Sequence, residues 1–192
     1  MRSILYLTII SFLFFSCDKN GETLKNGNKL EVQKNGITYV DEQSLILPPG
    51  AHDGPKLIYT PSATGIYGNH EENITLSSSL YLGGSKNSKS INITIYLPVS
   101  GGVELNKKYE IQPIDRKEIF REGVDGSLSD TWNAPFIRYT ENHKTYYFGT
   151  GDIKFTYFDN SGGPSNTKGE GTIEFSVPNE TGSKSTFNGS FR

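Results

Sequence analysis

Apolar residues recur at every second position through much of the chain, the spacing of a β-strand with one buried face. Ile74, Leu76, Leu80 and Leu82 alternate with Thr75, Ser77, Ser79 and Tyr81, and only Ser78 breaks the pattern. Ile91, Ile93, Ile95 and Leu97 alternate in the same way with Asn92, Thr94 and Tyr96, so Asn92 and Thr94 are expected to point away from the core. The segment Gly83 to Asn87 joins these two strands as a hairpin loop. Earlier in the chain, Leu30 and Val32 lie across Asn35-Gly36 from Ile37 and Tyr39, and Asn-Gly suits a two-residue hairpin because both residues tolerate positive φ. Further strands are predicted over Phe136 to Thr140, Thr145 to Gly149, Ile153 to Phe158, Ile173 to Val177 and Phe187 to Phe191. Only Asp115 to Glu122 has a helical pattern, and eight residues make a marginal helix.

Composition agrees with this pattern. Three alanines stand against 17 isoleucines, 11 tyrosines, 11 phenylalanines and 21 glycines, a mixture poor for helices and suited to short strands between turns. The expected fold is all-β, an antiparallel β-sandwich or a barrel-like meander with little or no helix. A single β domain is expected over 30–192, since the chain is too short for a multidomain machine. The 19 basic residues are scattered among 21 acidic ones for a formal charge of −2. That balance excludes a nucleic-acid partner, which needs a concentrated basic face.

The N-terminus carries an address. Arg2 precedes an almost entirely apolar run from Ile4 to Phe15, too short to span a bilayer and right for a secretory h-region. The run ends at Phe14-Phe15-Ser16-Cys17, with a small residue before the only cysteine of the chain. This resembles a bacterial lipobox, which implies a signal peptide over 1–16, cleavage before Cys17 and lipidation of Cys17. Acyl chains there would anchor the protein, each buried methylene contributing about 0.8 kcal/mol. Residues 17–29 are polar and are expected to form a flexible tether.

Towards the C-terminus, Gly151-Asp152-Ile153-Lys154-Phe155, Gly171-Thr172-Ile173-Glu174-Phe175 and Asn188-Gly189-Ser190-Phe191 echo one another. Together with the lipobox and the charged residues after it, they resemble uncharacterised Bacteroidetes lipoproteins. The resemblance covers roughly the first twenty and last forty-five residues. It implies an all-β domain of the cell envelope, lipid-anchored at the outer membrane on its periplasmic or surface side, with no assigned activity.

Catalytic motifs are scarce. Gly-x-Ser-x-Gly, His-Glu-x-x-His and a phosphate-binding loop are missing from the sequence. Ser165 and Lys168 have the spacing of a serine acyl-enzyme, but they sit in a Gly/Pro-rich turn where no helix would bring the lysine over the serine. His52-Asp53 and His70-Glu71-Glu72 form no local zinc set, and Asp125 to Asp130 lacks the spacing of a calcium loop. The chain is therefore expected to be non-enzymatic, with no cofactor and no metal. Trp132, Tyr139 and Tyr146 belong to the most aromatic stretch and are the candidate ligand-binding residues, because exposed rings stack on sugars and anchor protein contacts. The functional expectation is an envelope binding or assembly module for a glycan or protein. A lipocalin-like barrel for an apolar small molecule and a small hydrolase are the alternatives.

Overall fold

The computed structural model describes residues 28–43, 54–61, 63–65, 68–70, 72–99, 101–114, 134–178 and 182–192. Cys17, Trp132, the 115–122 helix, the 125–130 loop and His52-Asp53 lie outside the described residues. The chain is all-β, with thirteen strands among the described residues: β1 (Lys29–Lys34), β2 (Ile37–Glu42), β3 (Lys56–Thr60), β4 (Ala63–Gly65), β5 (Gly68–His70), β6 (Asn73–Leu82), β7 (Ser90–Pro98), β8 (Lys108–Ile111), β9 (Phe136–Glu141), β10 (Lys144–Tyr146), β11 (Thr150–Asp159), β12 (Lys168–Pro178) and β13 (Lys184–Phe191). A three-residue 3-10 turn at Pro164–Asn166 precedes β12, and no α-helix occurs among the described residues.

Eleven strands form one antiparallel sheet in the order β10-β9-β7-β6-β2-β1-β13-β12-β11-β8, with β3 added to β6. Five of the ten neighbouring pairs are consecutive in sequence, and the other five join strands that have others between them in the chain. At the first turn Asn35 and Gly36 have φ of 49° and 83°, the left-handed pair the Asn-Gly signal anticipates. The first and last strands meet, since β1 pairs with β13 from Leu30↔Phe191 to Lys34↔Phe187.

The sheet curls into a half-barrel, the barrel-like form of the two expected, because a twisted sheet with one apolar face can bury that face only against itself. Four strands stand between Tyr139 on β9 and Phe187 on β13 in the sheet, yet their rings meet at 5.0 Å. Phe187 stacks on Phe175 at 4.3 Å, and Phe155 meets Phe191 edge-on at 5.2 Å. The inner face is completed by Leu30, Val32, Ile74, Leu76, Leu80, Ile91, Ile93, Ile95, Leu97, Ile137, Ile153 and Ile173, all buried. The backbone draws the two edges of the sheet together. Gln112, just past β8, donates its N–H to the Pro135 carbonyl before β9 at 2.9 Å, and the Ile114 N–H donates to Tyr147 past β10 at 3.2 Å.

Two strand expectations are corrected, Leu82 and the strand after Thr145. Leu82 follows the inward alternation but is 36% exposed, because the β6–β7 ladder stops at Tyr81↔Ser90. Ile37, 53% exposed, sits at the turn where the curl opens. The strand expected over Thr145 to Gly149 ends at Tyr146, where the chain crosses towards the Ile114 segment. At Gly149 a Cβ would fall 2.1 Å from an Ile137 methyl carbon.

Candidate functional site

Strand alternation puts Ser77, Ser79 and Tyr81 of β6, Asn92, Thr94 and Tyr96 of β7, and Phe136, Arg138 and Thr140 of β9 on the outer face. Register then lines them into rows. Ser79 faces Asn92, Asn92 faces Thr140, and Thr140 faces Thr145 on β10. In the next row Ser77 faces Thr94 and Thr94 faces Arg138. Beyond that, Tyr96 faces Phe136 and the rings stack at 4.6 Å. Four strands at about 4.8 Å spacing make a polar face about 14 Å across.

Hydrogen bonds run along these rows. Ser79 Oγ donates to Asn92 Oδ1 at 2.7 Å, the hydroxyls of Thr140 and Thr145 share a bond at 3.0 Å, and Arg138 Nη2 donates to Thr94 Oγ1 at 3.3 Å. Thr94, although outward, is only 7% exposed, while Arg138 and Asn92 are open to solvent. Two depressions share Asn92, Thr94 and Arg138. One, of about 470 Å³, extends to Tyr81, Lys56 and Asp41, and the other, of about 280 Å³, extends to Thr140, Thr145 and Tyr147. They form a single shallow groove with a tyrosine at each end.

One end of the groove lies where the sheet forks. The β6 strand pairs with β3 up to Lys56↔Ser77 and with β2 only from Val40↔Tyr81, so neither ladder reaches Ser78 and Ser79. The Asp41 carboxylate fills the gap: Oδ2 accepts from Ser78 Oγ at 2.7 Å and from the Ser79 N–H at 3.2 Å. Both side chains are buried, Asp41 at 5% and Ser78 at 8% exposure. The single polar residue that interrupts the β6 alternation is therefore the partner of a buried carboxylate.

Two of the three expected ligand residues, Tyr139 and Tyr146, lie on the inner face. Tyr139 is 3% exposed inside the curl, so its assignment to a ligand surface is corrected, and Tyr146 packs half-buried against it at 5.9 Å. The cause is parity: Ile137 and Tyr139 share the inner face of β9, and register carries Tyr146 to the same side. Trp132 lies outside the described residues. Tyr139 Oη makes no hydrogen bond of standard geometry among the described residues. Burial first, and the neighbouring Glu141 carboxylate second, push its pKa far upward.

Among the described residues the other sequence candidates form no centre. Ser165 lies in the three-residue turn and Lys168 begins β12, so no α-helix carries the pair. Glu72 accepts a hydrogen bond from Tyr59 Oη at 2.6 Å. No group of three or more metal-binding side chains occurs among the described residues. Arg138, Ser79 and Thr140 were not singled out from the sequence. Their one signal is that outward positions on three strands are polar, and only the register joins them.

No family model matches the chain, and neither the curated proteins nor the solved structures contain a match.

Proposed function

We propose that the chain is a non-enzymatic lipoprotein of the cell envelope whose β domain binds a glycan in the outer groove. The observation that carries this reading is the continuous polar surface from Ser79 through Asn92 and Thr140 to Thr145, flanked by Tyr81 and Tyr147. Hydroxyl and amide groups at strand spacing suit a ligand that is itself a row of hydroxyls, and flat rings at the ends suit the apolar faces of sugar rings. The groove is open and polar, unlike the enclosed apolar site that a lipocalin-like ligand requires. The interior is occupied by the rings of Tyr139, Phe155, Phe175, Phe187 and Phe191, which favours the outer face for binding.

In this reading Cys17 is the lipidated first residue of the mature protein at the outer membrane. Residues 18–28 then form the leash, spanning at most about 40 Å when fully extended. Labelling cells with a fatty-acid analogue tests the anchor: wild type should incorporate it and Cys17→Ala should not. Titration with a panel of polysaccharides tests the groove. Asn92→Ala and Tyr147→Ala should each weaken binding at least tenfold with melting unchanged, and full binding by both variants would overturn the assignment.

A further inference from the structure

Arg138 stands at the centre of the groove, in both of the depressions that compose it. Its guanidinium makes one hydrogen bond, to the neutral Thr94 hydroxyl at 3.3 Å, and pairs with no carboxylate among the described residues. Four other cations on the sheet are paired: Lys34 with Glu141, Lys108 with Asp152, Lys29 with Glu31 and Arg192 with Glu42. Lys56 adds a second positive charge to the groove wall. The carboxylate of Asp41, at the fork, is already engaged by Ser78 and the Ser79 N–H.

A guanidinium carries five N–H donors in a planar fork that matches a carboxylate in two parallel bonds. A neutral sugar would use the hydroxyls and amide of this surface and leave most of that fork idle. We infer that the groove takes a uronic-acid-containing saccharide, its carboxylate held by Arg138 and its hydroxyls by Asn92, Thr140 and Thr145. This assignment rests on the glycan reading above and adds the charge of the ligand.

The full chain is titrated with polygalacturonate, alginate and hyaluronan, with the carboxyl-reduced form of each, and with dextran sulfate. At least one uronate polymer should bind, with at least tenfold weaker binding after carboxyl reduction. Arg138→Gln should lose at least tenfold towards the acidic polymer while melting as wild type. Arg138→Lys, which keeps the charge without the fork, should recover only part of the loss. Equal binding of acidic and reduced forms, or an unaffected Arg138→Gln, overturns the acidic assignment. The glycan reading survives that result where Asn92→Ala still weakens binding. Dextran sulfate binding as tightly as the uronates would mean attraction by charge alone and would also overturn it. Failure of every polymer, acidic and neutral, removes both readings.

Discussion

Lys34 Nζ and Glu141 Oε2 lie 2.5 Å apart, although β2, β6 and β7 stand between their strands in the sheet. The pair ties the two sides of the curl at its open end, with the same ammonium 5.6 Å from the centre of the Tyr139 ring. Burial pushes the Glu141 carboxyl upward, but the bond from Lys34 and the adjacent Tyr139 hydroxyl outweigh it and hold the group below the usual carboxylate range.

Because the folded-state pKa of Glu141 is depressed, its stabilisation is present above the unfolded value of about 4.3 and is lost as pH falls through the folded value. Glu141→Gln should therefore cost about 1–2 kcal/mol at neutral pH, between an exposed and a fully buried pair. The difference should shrink in acid, where the wild-type carboxyl is itself neutral. Denaturant titrations on either side of that range check this, and an unchanged gap in acid would rule out the ion pair as its source.

The fork at Ser78 has its own energetic signature. Asp41→Ala should cost about 2–3 kcal/mol, because it leaves the Ser79 N–H and the Ser78 hydroxyl without their acceptor. Ser78→Ala should cost about 1 kcal/mol, and the double variant less than the sum, since the two residues share one bond. A double-mutant cycle by chemical denaturation measures the coupling.

The two faces of β7 should respond oppositely. Ile95, 1% exposed, should cost about 2–4 kcal/mol as Ile95→Ala through the cavity it leaves. Asn92→Ala should stay within about 0.5 kcal/mol of wild type and act on binding alone. A destabilised Asn92→Ala would place that side chain in the packing rather than in the groove.

Gly171 lies where two strands approach too closely for a side chain. A Cβ there would sit 2.1 Å from the Lys154 carbonyl oxygen and 2.6 Å from Phe191 Cζ. Gly171→Ala should thus lose about 2 kcal/mol or more through displacement of β11 or of the Phe191 ring. Thermal melting shows it, and a wild-type melting curve would mean that the strands can separate freely at this point.

The same residues divide what was legible in the sequence from what was not. Alternation along Ile91 to Leu97 and along Ile173 to Val177, and the Asn35-Gly36 turn, were sufficient to place strands and assign their faces. Each depends on contacts between residues two apart or across a tight turn. The buried Ser78 registered only as an irregularity, since its meaning resides in Asp41, thirty-seven positions earlier. Tyr139 and Tyr146 looked like an exposed aromatic patch because a cluster of aromatics in the sequence is equally consistent with an inner or an outer face.

By itself the sequence determined the all-β character, most of the strands and which positions alternate, because strand geometry is local and repeats every two residues. Tertiary structure alone decided that the sheet curls, that β1 lies beside β13, and that Lys34 meets Glu141. It also decided that Ser79, Asn92, Arg138 and Thr140 become one surface. These follow from cross-strand register, which depends on how the whole apolar face is buried against itself, and no local spacing encodes that.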